Sequence, residues 1–175
     1  MSLAEIRGYK KVGERRFREV RGLYYEDVVV GEIVEHRPGR TVTEADNLWQ
    51  SLLALNPNPL HIDAAYAEKT EWGRPLISSL VTLSIVTGMS VSSTSFRCIA
   101  NLGWDEVRLL APVFAGDTLY AESEFLEKRL SSSRPAQGLV TCATRGLKAD
   151  GTLFLSFKRT FLLPTREFAG DIEHY

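Results

Sequence analysis

Cysteine, histidine, net charge and long apolar runs are all scarce in this chain, and each scarcity excludes something. Cys98 and Cys142 are the only cysteines among 175 residues. They lie far apart and match no metal-ligand spacing, so they read as free thiols, buried or half-buried, in a reducing compartment. The three histidines, His36, His61 and His174, are dispersed, with no cysteine cluster beside them. No metal site and no cofactor are therefore expected. No window approaches about 18 uninterrupted apolar residues, so no transmembrane helix is expected. Met1-Ser2-Leu3-Ala4-Glu5-Ile6 lacks a basic stretch followed by an apolar run and does not read as a secretory signal. Charge is nearly balanced, with 21 Lys and Arg against 22 Asp and Glu. That total does not favour a nucleic-acid partner. What remains is a cytoplasmic protein with no membrane partner. Its 44% hydrophobic residues are enough to bury one core.

Residues 1–22 differ from the rest. Arg7, Lys10, Lys11, Arg15, Arg16, Arg18 and Arg21 stand against Glu5, Glu14 and Glu19. This basic N-terminal extension either touches phosphates or is a solvated arm, lying over a neighbouring subunit or partly disordered. One domain is expected over 23–165, followed by a polar tail at 166–175. Val28 to Pro38 reads as a strand, with Arg40 to Thr43 as its return. Thr43 suits the N-cap of a helix from Glu44, which would bury Leu48, Trp49, Leu52 and Leu53 on one face. A short helix should follow from Ala64 to about Thr70. Leu76 to Val91 is apolar on nearly every side and reads as a helix buried all round. Four strands should follow: Ile99 to Leu110, Thr118 to Arg129, Leu139 to Lys148 and Leu153 to Leu163. Turn signals separate them, the clearest being the hairpin signal Asp150-Gly151. Strands this long and numerous must wrap something, and the apolar helix is the filling. The fold class is α+β, an antiparallel sheet wrapped around a central apolar helix in the hot-dog arrangement. Such a sheet leaves an edge strand open, so a homodimer or higher homo-oligomer is expected.

The segment with most chemical content is Asn56-Pro57-Asn58-Pro59-Leu60-His61-Ile62-Asp63. Pro57 and Pro59 fix φ and push the residues before them out of the helical region. A loop so stiffened can hold one histidine in place, and histidine exchanges protons near neutral pH. An isolated loop histidine is also a common structural element; the neighbours of His61 single it out.

Asn58-Pro59-Leu60-His61-Ile62-Asp63, Gly73-Arg74-Pro75-Leu76-Ile77 and Ala111-Pro112-Val113-Phe114-Ala115-Gly116-Asp117-Thr118 resemble motifs of the MaoC-like (R)-specific enoyl-CoA hydratases. They stand in that family's order and spacing, over roughly residues 24–163. The resemblance implies a hot-dog dimer with an acyl-CoA entering between subunits. It also implies an aspartate and a histidine, separated by Xaa-Asn-Pro-Xaa, that hold the reacting water. His61 matches the histidine and Asn58 the asparagine, but the aspartate position holds Asn56. The family's oxyanion donor is a backbone N–H at a glycine after a histidine; those positions read Ser78-Ser79 here. A backbone N–H survives the exchange, so the resemblance assigns that role to Ser79. A small hydroxyl residue further along the helix matches Thr87. Leu102-Gly103-Trp104-Asp105-Glu106-Val107-Arg108 and Phe157-Lys158-Arg159-Thr160 are similar to the branch acting on mesaconyl-, itaconyl- or methylmalyl-CoA.

Hydration of an α,β-unsaturated thioester needs a base for water, a proton for the α-carbon and a donor to the developing enolate oxygen. His61 suits the first and Ser79 the third. The second falls to His61 after it has taken the water's proton, or to Asp63, which equally suits a helix N-cap. A second substrate carboxylate calls for an arginine, either Arg74 or, in reserve, Arg108; a salt bridge is the other reading of Arg74. Trp72 and Trp104 read as pocket walls or plain core. His36, between Glu35 and Arg37, reads as solvent-facing, and His174 lies in the tail. The expected function is an acyl-CoA hydratase or dehydratase, with Asn56 positioning water. A hot-dog thioesterase would need Asp46 or Asp63 at the thioester, and a non-catalytic acyl-CoA-binding homologue is the reading that Asn56 invites.

Overall fold

A computed structural model describes residues 8–169; Arg7 and His174 lie outside them. The element order is β1 (Tyr9–Gly13), β2 (Arg16–Glu19), β3 (Ile33–Thr41), α1 (Glu44–Leu53), α2 (Pro59–Ile62), α3 (Ala64–Ala67), α4 (Ser79–Ser90), β4 (Ala100–Leu109), β5 (Thr118–Leu130), β6 (Gln137–Lys148), β7 (Leu153–Pro164) and α5 (Arg166–Ala169). Strands β3-β5-β6-β7-β4 form one antiparallel sheet, with β3 and β4 at its edges.

The long strands β5 to β7 bury alternate residues, as a sheet with one covered face must. Leu119, Ala121, Ser123 and Phe125 point inward from β5, and Phe157, Arg159, Phe161 and Leu163 from β7. Helix α4 lies on this face. Its Val81, Ile85 and Val86 join Leu119, Ala121, Phe154 and Phe157 in the main core. Close approach needs a bare backbone at Gly146 on β6. A Cβ there would sit 2.7 Å from Phe154 Cζ and 3.0 Å from Val86 Cγ2. At the predicted Asp150-Gly151 hairpin, Asp150 Oδ1 accepts from the Thr152 N–H at 2.9 Å, and Gly151 takes φ +86°. The expected α+β sheet with its central helix is therefore present. Both cysteines are free, Cys142 buried and Cys98 half-buried. Among the described residues no helix is long and apolar enough to cross a membrane.

Several local expectations change. Part of the basic arm is an antiparallel hairpin, pairing Tyr9 with Glu19 and Lys11 with Phe17. β3 begins later than expected and does not turn back after Pro38. It runs on to Thr41 through a register shift between His36 and Arg40, so the Pro-Gly pair marks a bulge on an edge strand. α4 starts at Ser79, after an extended Leu76 that bridges to Phe114. It is not buried all round, since Leu80 is 52% exposed. The leucine face of α1 is turned outward: Trp49 is 68% and Leu53 80% exposed, while Asn47 and Ser51 are buried. Periodicity finds a stripe on a helix but not its direction. Here the polar side faces the body because its amides bond backbone groups there.

His36 is the clearest reversal. It is buried, with Nδ1 2.7 Å from Ser93 Oγ and Nε2 2.8 Å from Ser123 Oγ. Flanking charges suggested an exposed strand position, but strand alternation places His36 on the inner face, where hydroxyls satisfy both ring nitrogens. Burial pushes its pKa from 6.5 to about 4, and the charges of Arg159 and Arg37 add to the effect. The unfolded chain thus binds more protons than the fold between these values. This contribution to stability is complete above pH 6.5 and declines as pH falls toward about 4. Urea midpoints measured across that window should fall as the pH is lowered, and less steeply in His36→Gln. Parallel slopes for the two proteins would exclude His36 as a source.

Candidate active site

The residues around His61 are placed by short-range rules. Asn56 Oδ1 accepts from the Asn58 N–H at 3.2 Å, and Asn58 Oδ1 from the Leu60 N–H at 3.0 Å. These Asx turns carry the chain past Pro57 into α2, where Pro59 takes the first turn. The stretch expected as a stiff loop is thus a one-turn helix, and His61 stands on it. Asp63 caps α3 as expected, accepting from the Tyr66 N–H at 3.0 Å.

His61 is half-buried, and its Nδ1 lies 2.7 Å from the carbonyl oxygen of Leu76. A carbonyl only accepts, so Nδ1 carries the proton and Nε2 keeps a lone pair. The Leu76 segment is held on both sides. Its N–H donates to Leu60 O at 3.1 Å, and the Ile77 N–H donates to Val113 O at 2.9 Å. Hence the His61, Leu76 and Pro112–Phe114 motifs, far apart in sequence, form one hydrogen-bonded unit.

Two cavities meet at His61. One, of about 400 Å³, is walled by His61, Trp72, Leu76, Ser79, Pro112 and Phe154, among others. The other, of about 430 Å³, includes His61, Glu44, Asn47, Leu48, Arg74 and Pro75. Ser79 opens α4, so no preceding turn can accept its backbone N–H. The first cavity is therefore lined by His61 and by the first residue of α4, between apolar walls. That pairing can deprotonate a water and hold a carbonyl oxygen as it gains charge.

Arg74 borders the second cavity, with its guanidinium 4.0 Å from the centre of the Phe114 ring. Asn56, Asn58, Asp63 and Thr87 line neither cavity. Thr87 Oγ1 accepts from Trp104 Nε1–H at 3.3 Å. Trp72 borders the first cavity, its ring tilted against Phe114. Arg108 is exposed on β4 and donates to the Val107 carbonyl at 3.2 Å. Asp46 is tied into the α1 capping box with Thr43 and pairs with Arg40. Among the described residues no cluster of three or more His, Cys, Asp or Glu could hold a metal.

Asn47 went unnoticed in the sequence. It is 2% exposed, donates to His61 O at 2.8 Å and Leu76 O at 3.1 Å, and accepts from the Ser78 N–H at 2.8 Å. Its one sequence signal is a polar line, Asn47 and Ser51, opposite the leucines of α1.

The model of the family described as mesaconyl-CoA hydratase matches residues 3–172. The mesaconyl-CoA hydratase of Cereibacter sphaeroides is 32% identical over 149 residues, which make up 85% of this chain and 43% of that protein. A solved MaoC domain dehydratase from Chloroflexus aurantiacus superposes with TM-score 0.78 at 29% identity, over 83% of this chain and 41% of that one. A Mycobacterium tuberculosis protein described as a double hot-dog fold superposes with TM-score 0.75 at 25% identity, over 82% of this chain and 44% of that one. The chain thus spans under half the length of each of these three relatives. A hot-dog sheet around α4, the joined His61 and Leu76 motifs and a family match over nearly every residue agree: the chain belongs to the mesaconyl-CoA hydratase family.

Proposed function

We propose that this protein is an acyl-CoA hydratase or dehydratase, acting on a branched dicarboxylic enoyl-CoA such as mesaconyl-CoA or itaconyl-CoA. The observation that carries the reading is the 2.7 Å contact between His61 Nδ1 and Leu76 O, which leaves Nε2 as a base at the cavity. Nε2 takes a proton from water as the oxygen bonds to the β-carbon. The thioester oxygen becomes enolate-like and is held by the Ser79 N–H, a donor worth a few kcal/mol. His61 then returns the proton to the α-carbon, and dehydration runs the same steps in reverse. Asn56 cannot carry a proton and lines neither cavity, so its proposed part is to hold the His61 turn, with its Oδ1 accepting from the Asn58 N–H. Asn58 and Asp63 serve the substrate indirectly by framing α2 and α3. Thr87 lines neither cavity; its proposed part is to hold the Trp104 indole, which donates to its hydroxyl. A thioesterase is disfavoured, because Asp46 and Asp63 cap helices and line neither cavity.

Arg74 is assigned to the second carboxylate of the substrate, which a guanidinium can grip with two hydrogen bonds. Position 56 lines neither cavity, so an aspartate there would act on that carboxylate only at longer range, as an added like charge that the asparagine does not carry. A second copy of the chain is proposed to pair along β4, an open edge where Leu102, Trp104 and Leu109 are 45–58% exposed. Two copies would reproduce the length of the double hot-dog relative. The cytoplasm is the proposed compartment.

Kinetics of variants and the mass in solution test these assignments. With crotonyl-CoA and mesaconyl-CoA as substrates, His61→Ala should lower turnover about a hundredfold or more, the usual worth of general acid–base catalysis. Loss of enoyl absorbance identifies a hydratase, whereas free thiol release would identify a thioesterase and neither signal a binding protein. Arg74→Met should reduce kcat/KM for mesaconyl-CoA about tenfold or more and leave crotonyl-CoA nearly unchanged. Asn56→Asp should likewise weaken the dicarboxylic substrate more, and equal effects on both substrates would contradict the clamp. Light scattering at micromolar concentration should give at least twice 19.6 kDa; a monomer alone would refute the pairing.

A further inference from the structure

The geometry points to Asn47 as a positioning residue that sets both halves of the reaction site through one side chain. This rests on the hydratase reading above. Asn47 lies on α1, outside the motifs that revealed the site, and its carboxamide is buried. One Nδ2 hydrogen goes to the carbonyl of His61 itself, at 2.8 Å. The other goes to the carbonyl of Leu76, at 3.1 Å. That second oxygen is the same one that accepts from His61 Nδ1 at 2.7 Å. Leu76 O therefore has both its lone pairs engaged, and it is fixed between the ring and the amide. The backbone of His61 and the acceptor of its ring are thus held by one group, which leaves the imidazole little freedom to rotate or change tautomer.

The carbonyl end of Asn47 controls the other half. Oδ1 accepts from the Ser78 N–H at 2.8 Å. Ser78 is the N-cap of α4, with φ −58° and ψ 140°, and its own side chain makes no capping bond. Anchoring the peptide that enters Ser78 restrains the turn from which the next N–H, that of Ser79 in the cavity wall, projects. Only a short amide fits this role. Aspartate has the same size but no donors, and would face two carbonyl oxygens with a negative charge. Alanine leaves two buried carbonyls and one buried N–H without this partner. Gln50, one turn further along α1, bonds Ser84 Oγ at 2.5 Å and Leu80 O at 3.4 Å. It ties α1 to α4 but touches neither His61 nor Ser78, so it serves as the structural control.

The test uses ¹⁵N-histidine-labelled full-length protein. In the wild type the His61 imidazole should show a protonated Nδ1 and an unprotonated Nε2 once neutral. In Asn47→Ala and Asn47→Asp that tautomer should give way to a mixture, in substrate-free protein with wild-type circular dichroism. Their kcat on crotonyl-CoA should fall about tenfold or more with KM changed by less than about threefold, as expected when orientation and not binding is lost. Gln50→Ala should keep the wild-type tautomer and kcat even if its melting temperature drops. Unchanged tautomer and kcat in the folded Asn47 variants would overturn the proposal. So would failure of the isosteric Asn47→Asp to fold, which would make Asn47 a determinant of the fold instead. A shifted tautomer in a protein without hydratase activity would leave the positioning intact and refute the hydratase reading alone.

Discussion

The Leu76 carbonyl oxygen accepts from His61 Nδ1 and from Asn47 Nδ2, and the rest of the site is arranged around it. It fixes which imidazole nitrogen holds the proton. It also sits on the short extended segment that leads into α4, so the same backbone that orients the base delivers the helix N-terminus. The segment itself is tied to Leu60 and Val113 by backbone hydrogen bonds. Moving that carbonyl would disturb the His61 ring, the start of α4 and the wall of the cavity together.

The sheet explains why the carbonyl can be held so firmly. Gly146 lets α4 lie close on β6, and Val81, Ile85 and Val86 lock it there against Phe154 and Phe157. Burial of this kind is worth about 1.5–3 kcal/mol for each large apolar side chain. Helix α1 is attached differently. Its apolar stripe faces outward, and it grips α4 and the His61 turn with Asn47 and Gln50. The exposed stripe and the open β4 edge both leave apolar side chains uncovered.

Much of this was legible in the sequence, and the reason differs by element. The strands β5 to β7, the Asp150-Gly151 turn and the caps at Thr43 and Asp63 follow from local rules of alternation, turn chemistry and side-chain capping. His61 stands out in the sequence by its proline-framed motif and by the family resemblance, and the structure joins its ring to the Leu76 carbonyl. What could not be read depends on partners distant in sequence. His36 is buried because Ser93 and Ser123 happen to meet its two nitrogens. Asn47 matters because residues 61, 76 and 78 converge on it in space. The leucines of α1 misled because amphipathicity assigns a face to the core only when the other face has nothing to bond.

On the proposed mechanism, an acyl thioester sits between His61 and the start of α4. A crystal structure of the protein with a bound 3-hydroxyacyl-CoA tests it most directly. The thioester oxygen should lie about 2.7–3.1 Å from the Ser79 nitrogen, with the 3-hydroxyl within hydrogen-bond reach of His61 Nε2. A thioester lodged away from the Ser79 N–H, or a hydroxyl that faces Asp63 and not His61, would contradict it.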